Sequence, residues 1–223
     1  MIQKAYQIDA PYHKIKTGPK MTITLHHGDI PKGLEFGKSV AVDTEAMGLN
    51  NHRDRLCLVQ LSSGDGTAHL VQFAPGEYKA PRLRALLNDQ KTLKIFHFAR
   101  FDVAILKKYL QADCNPLYCT RTASYLTRTY TDRHGLRDLC RELLSVEISK
   151  QQQSSDWGAP VLTQDQLTYA ASDVLHLHQL KKRLDDMLKR EDRMDMAKEI
   201  FRFLPTRAEL DLAGWAERDI FAH

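Results

Sequence analysis

The run Lys38–Asp43 (KSVAVD) constrains this chain more than any other stretch. Val40, Ala41 and Val42 follow one another with no polar residue between them. A strand that is apolar on both faces must be covered on both faces, so this one reads as a buried strand. It ends at once in Asp43-Thr44-Glu45. Side chains of an extended chain alternate sides, so positions 43 and 45 point the same way. The strand that most needs burial therefore delivers two carboxylates to one place.

The remaining patterns fall in order around it. Thr22–Leu25 is a short alternating strand. Arg55–Ser62 (RLCLVQLS) and Thr67–Phe73 (TAHLVQF) read as strands joined by a tight hairpin turn at Gly64-Asp65-Gly66. Pro81–Leu87 suits a short helix. Leu93–Phe98 (LKIFHF) is a strand feeding a helix from about Arg100 to Leu110, and Leu117–Cys119 is a short strand. Helical periodicity then covers Thr120–Arg128, Leu136–Leu143, Thr163–Lys189 and Arg193–Phe203, with a polar loop over Ser149–Pro160. Strands first, then a βα alternation, then helices predict an α/β domain whose mixed sheet is flanked by helices. It spans residues 21–223. Residues 1–20 are predicted to be a loose N-terminal arm, because Pro11, Gly18 and Pro19 break any period. A translation start at Met21 would leave the patterned domain intact.

Composition excludes more than it selects. No apolar run approaches the ~18 residues that span a bilayer, and residues 1–20 hold no apolar core of a secretory leader. The chain is expected to be cytoplasmic, with no membrane partner. Lys and Arg number 32 against 28 Asp and Glu, a net charge of +4. That suits a polyanionic partner without demanding one. Cys57, Cys114, Cys119 and Cys140 show no C-x-x-C spacing and are expected to be reduced and packed. No His/Cys set has the spacing of a zinc finger.

Two further acidic signals join the first. Asp102 falls about one turn into the helix after Leu93–Phe98, where it can simply complement the helix dipole. Tyr169 and Asp173 stand one helical turn apart, on the border of the apolar stripe of Leu167, Ala170, Val174, Leu177 and Leu184. Alone, each signal has a bland reading: a charged loop after a strand, a dipole partner, a boundary tyrosine beside a solvated acid. Jointly, the series Asp-x-Glu, then Asp, then Tyr-x-x-x-Asp resembles the DEDDy class of 3′–5′ exonucleases, which have the DnaQ-like, ribonuclease H-like fold. The resemblance extends to Gly48-Leu49, the Arg55–Leu61 strand, Ser155-Asp156-Trp157, Leu162-Thr163 and Gln166-Leu167. Over roughly Val40 to Leu184 the chain is similar to the catalytic domain of ribonuclease D. That enzyme carries C-terminal helical nucleic-acid-binding domains, whereas this sequence stops soon after Phe203-Leu204-Pro205. The length, the His52–Cys57 run, the Ser63–Thr67 turn and the Asp219–His223 ending resemble the nanoRNase C family, stand-alone enzymes that clear very short RNAs as homo-octameric rings.

The resemblance implies a metal-dependent 3′–5′ exoribonuclease acting on short RNA, dinucleotides above all. Four ionised carboxylates cannot converge without cations among them. An all-oxygen donor set favours two Mg²⁺ or Mn²⁺ ions over zinc. By resemblance, Asp43 bridges both ions, Glu45 and Asp173 complete the site of the ion that activates water, and Asp102 serves the other. Tyr169 orients the attacking water. Leu49 wedges between terminal bases, the alternative being a plain core leucine. His97 and Phe101 touch a sugar or base. Trp157 stacks on a base or anchors its loop. Arg53, Arg55 and Arg100 are candidate phosphate contacts, or a solvated face. Longer RNA 3′ ends or single-stranded DNA are alternative substrates. A non-catalytic nucleic-acid-binding module is the remaining reading, disfavoured because all four carboxylates and Tyr169 are present. A homo-oligomer is expected. The apolar residues Leu212, Trp215, Ile220 and Phe221 are predicted to order the C-terminal segment, either against their own domain or in assembly.

Overall fold

The computed structural model describes residues 21–149 and 151–222, so the expected arm over residues 1–20 lies outside it. Among the described residues six strands form one sheet: β1 (Thr22–His27), β2 (Ser39–Ala46), β3 (Leu56–Ser62), β4 (Thr67–Gln72), β5 (Leu93–Phe96) and β6 (Leu117–Cys119). Their order is β1-β4-β3-β2-β5-β6. The strand β2 lies inside, antiparallel to β3 and parallel to β5. Val40, Ala41 and Val42 are fully buried there, as a run apolar on both faces requires. The β3–β4 hairpin turns through Gly64 and Gly66, both at positive φ, and the Asp65 carboxylate accepts from the Thr67 amide at 2.8 Å. The sheet is mixed, as expected: β1 runs parallel to β4 and β6 parallel to β5.

Seven α-helices of the described residues cover it: α1 (Pro81–Asn88), α2 (Ala99–Leu110), α3 (Thr120–Thr127), α4 (Leu136–Leu139), α5 (Gln164–Leu175), α6 (Leu177–Arg190) and α7 (Met194–Leu210). The main core joins β2, β3 and β5 to α2, α6 and α7. A smaller cluster of Cys57, Leu58, Leu70, Trp157, Leu162 and Ala170 seats α5 and the loop before it on β3 and β4. All four cysteines are free and buried. None of the described helices is long and apolar enough to cross a membrane.

Three helical expectations need correction. The predicted helix Thr163–Lys189 breaks at His176 into α5 and α6. The apolar stripe runs on through the break, because Val174 and Leu177 are both fully buried. The predicted helix Leu136–Leu143 is a single α-turn that continues as a π-helical turn over Cys140–Leu144. The helix expected to stop at Phe203 reaches Leu210 with Pro205 inside it. Proline removes one backbone donor, but Phe201, Leu204 and Ala208 bury one continuous side and carry the helix across. Beyond α7 the C-terminal segment docks on its own domain. Arg100 of α2 donates to both Asp211 oxygens at 2.5 and 2.8 Å, and Arg207 donates to Asp211 at 2.6 Å. Ile220 and Phe221 nevertheless remain exposed.

Candidate active site

The site forms where β2 ends. Asp43 and Glu45 leave the strand on the same side, and a register shift in the β2–β3 pairing falls between Glu45 and Ala46. Such bulges re-aim side chains at the end of a ladder. The parallel neighbour β5 stops at Phe96, and Phe98 takes a left-handed backbone conformation (φ 70°) that starts α2 at Ala99. A helix that follows a parallel strand begins at the carboxyl end of the sheet, where open α/β sheets bind their ligands. Asp102 therefore arrives in the first turn of α2, beside β2. Thr44 Oγ1 donates to Asp102 Oδ1 at 2.6 Å, with both residues buried.

The third segment is α5. Thr163 caps it through a reciprocal capping box with Gln166. The same Gln166 amide donates to Ser155 Oγ at 3.1 Å and to the Asp156 carbonyl at 3.0 Å, which pins the polar loop to the helix start. One and two turns later Tyr169 and Asp173 face β2. Ligand oxygens of Asp43, Glu45 and Asp173 lie within 4.8 Å of one another.

Electrostatics follow from this crowding. Burial holds the Asp43 carboxyl up at about 7. Burial, then the charges of Asp43, Asp173 and Asp102, raises Glu45 well above the carboxylate range. Asp102 and Asp173 are raised likewise, by burial first and Asp43 second. Burial and the neighbouring Asp173 push the Tyr169 phenol up as well, so it stays a neutral hydroxyl. Four oxygen-donor acids forced together in a desolvated place fit hard divalent cations, which would relieve the repulsion.

A cleft of about 670 Å³ opens over the acids, and all nine predicted site residues line it, including Leu49, His97, Phe101 and Trp157. Leu49 is 88% exposed at the rim and is not a core leucine. Its turn depends on Gly48, because a Cβ there would stand 2.3 Å from Asp54 Oδ2. That oxygen accepts from the Asn50 amide at 2.9 Å and closes the turn. The His97 tautomer is settled by hydrogen-bond accounting. The Thr120 hydroxyl donates its one proton to the Phe96 carbonyl at 3.1 Å, so it must accept from His97 Nδ1 at 2.9 Å. Nε2 is left as an acceptor. Burial, then Arg121, lowers the imidazole to about 3, so it remains neutral.

Trp157 is only 3% exposed, its ring centre 6.0 Å from that of Tyr169. That leaves little ring for a base and places Trp157 as a loop anchor behind Tyr169. The three arginines considered for phosphate are engaged elsewhere. Arg53 pairs with Asp54, and Arg100 with Asp211. Arg55 donates to the carbonyls of Leu56, Phe73 and Gly158. The cleft instead holds two residues that sequence reasoning missed: Phe98, and Arg121, whose guanidinium lies 4.5 Å from the Phe98 ring centre. Only the tertiary fold brings Arg121 here, so no sequence pattern marks it. Thr44, missed in its own right, was visible as the central residue of the first acidic motif. Thr44→Val removes the hydroxyl that orients Asp102 and should lower kcat about 10–100-fold, the usual cost of losing such an outer partner. KM should stay unchanged, and steady-state kinetics check both.

The 3′–5′ exonuclease family model matches residues 28–189. NrnC from Brucella melitensis bound to pGG is 57% identical, with a TM-score of 0.89, over 92% of this chain and 100% of that one. The same protein with bound Mg²⁺ gives 56% identity and a TM-score of 0.88, over 91% and 100%. Ribonuclease D of Gluconacetobacter diazotrophicus is 35% identical over 156 residues, which are 70% of this chain and 39% of that protein. The chain thus spans about two fifths of the length of such ribonuclease D relatives. With most of its length inside the family match and a likeness that covers NrnC from end to end, the chain belongs to the 3′–5′ exonuclease family, in the NrnC branch of its ribonuclease D-like exoribonucleases.

Proposed function

We propose that the chain cuts very short RNAs, dinucleotides above all, to mononucleotides from the 3′ end by two-ion phosphodiester hydrolysis. The observation that carries this reading is the convergence of Asp43, Glu45 and Asp173 oxygens within 4.8 Å, with Asp102 buried beside them. Asp43, Glu45 and Asp173 would hold one Mg²⁺ or Mn²⁺ ion, and Asp43 with Asp102 the other. When bound, such ions stabilise charge on the phosphate and generate a nucleophile from water at neutral pH. The protein's own groups do the rest. Tyr169 orients the attacking water through its neutral hydroxyl. His97 Nε2 accepts from a sugar hydroxyl. Leu49, free at the rim, lies against the terminal base, and Phe101 supports the sugar.

In this reading short substrates are favoured. The cleft's volume of about 670 Å³ is compatible with one small ligand. Steric exclusion of longer strands then supplies specificity as much as attraction does. NrnC bound to pGG supports the same substrate class. The reading also places the protein in the cytoplasm as a homo-octamer. Exposed Met196, Phe203, Ile220 and Phe221 are apolar surface that a second copy would cover.

A ladder of 5′-phosphorylated RNAs from two to twenty nucleotides tests the substrate class. Linear pGpG should be cut with higher kcat/KM than any RNA of five or more nucleotides. Leu49→Ala should slow the dinucleotide more than longer RNA. Equal kcat/KM on two-mers and ten-mers would overturn the short-RNA reading in favour of an enzyme for longer RNA 3′ ends. Faster cutting of single-stranded DNA would overturn the RNA preference.

A further inference from the structure

Gln60 stands opposite Asp43 in the antiparallel pairing of β2 and β3. Directly paired residues project from the same face of a sheet, close enough to touch. Gln60 Nε2 donates to Asp43 Oδ2 at 3.4 Å. The side chain is wholly buried, and Oε1 at the other end of the amide has no partner. Two of its neighbours on this face are leucines: Leu58 pairs across from Glu45, and Leu70 pairs with Gln60 from β4. A methionine would fill the same space without stranding a buried carbonyl. The amide is therefore a local cost to the fold, set against the carboxylate at the centre of the acidic cluster.

We infer that Gln60 is a positioning residue for Asp43, an inference that rests on the metal reading above. Its N–H anchors one carboxylate oxygen and fixes the carboxylate plane while Glu45 and Asp173 repel it. The lone pairs left over would then be available to a divalent cation. Carboxylate ligands are commonly held by such an outer partner, whose loss costs about 10–100-fold in metal affinity or activity.

The test compares the full chain with Gln60→Met, using Mn²⁺ itself as the probe in isothermal titration calorimetry. Melting is followed in chelator, and kinetics on pGpG are run in parallel. In Gln60→Met, the metal-free Tm should hold or rise, because the stranded carbonyl is gone. Mn²⁺ affinity should fall about 10–100-fold, and kcat should drop with the KM for RNA unchanged. A packing role alone cannot produce that opposition of signs. Unchanged Mn²⁺ affinity would overturn the inference, as would a lower metal-free Tm with affinity kept. If Gln60→Met does not fold, Gln60→Asn answers the same question, since it keeps the amide but withdraws it from Asp43. The unaltered chain separates the two levels: Mn²⁺ binding there with no loss in either variant sinks Gln60 alone. No Mn²⁺ binding by the unaltered chain sinks the metal reading and this inference together.

Discussion

Asp43→Asn should lose at least about 10³-fold in kcat on pGpG, the scale of removing a principal electrostatic group from a transition state, yet melt higher than the unaltered chain in chelator. Both effects follow from one position. Asp43 belongs to the triad of oxygens within 4.8 Å, and its charge helps to raise Glu45, Asp102 and Asp173. Neutralising it removes a ligand that both ions would share and also relieves a buried repulsion. Asp173→Asn should behave likewise. In chelator, the unaltered fold should weaken as pH rises. The Asp43 carboxyl titrates near 7 when folded, above its ordinary value of 3.8. The native state therefore binds a proton that the unfolded chain has released, and stability falls with pH across that window. The contribution is complete below about pH 4 and lost once pH passes 7. Mg²⁺ or Mn²⁺ should abolish the slope. Initial rates in a metal titration, with melts from pH 5 to 8, check each part. Near-normal turnover in both variants would remove the two-ion mechanism.

Tyr169→Phe should reduce kcat by about 10²–10⁴-fold, the range for groups that position or transfer a proton in the transition state, with the KM for RNA close to unchanged. The substitution deletes one hydroxyl and keeps the ring, which packs near Trp157. The phenol is held above its usual range, so it is a poor base at neutral pH, and its loss should remove orientation rather than a titration. The rate–pH profile of the variant should keep its shape while its height falls. An unchanged kcat under conditions where chemistry limits the rate would take Tyr169 out of the mechanism.

What could be read from the sequence was whatever local periodicity or residue spacing encodes. Val40–Val42 reads as a buried strand and is one. The hairpin at Gly64-Asp65-Gly66 and the short strand Leu117–Cys119 lie where turn chemistry and apolar alternation placed them. The acids could be named because Asp43 and Glu45 share a strand face, and Tyr169 and Asp173 a helix face. Features set by tertiary contact were not visible. The break at His176 leaves the apolar stripe uninterrupted, so periodicity reads through it. Pro205 argues locally for a helix end that burial on α7 overrides. Gln60 reads as an ordinary polar residue in a strand until the β2–β3 register sets it against Asp43. Arg121 looks like any surface arginine, and the partners of Arg100 and Arg55 (Asp211, and the carbonyls of Phe73 and Gly158) are too distant in the chain to be read, whereas Arg53 pairs with its own neighbour Asp54.

The acids reach the cleft from three distant segments: the end of β2, the first turn of α2, and α5. No one segment carries more than two of them. This has a consequence for the order in which the cleft is assembled along the chain. A growing chain that has completed β2 and α2 holds Asp43, Glu45 and Asp102, but not Asp173 or Tyr169. The last acid joins the cleft only when α5 has settled on β3 and β4 through Ala170, Leu58 and Leu70. The set of four acids is thus a property of the folded sheet and its helices, and no single stretch of the chain carries it.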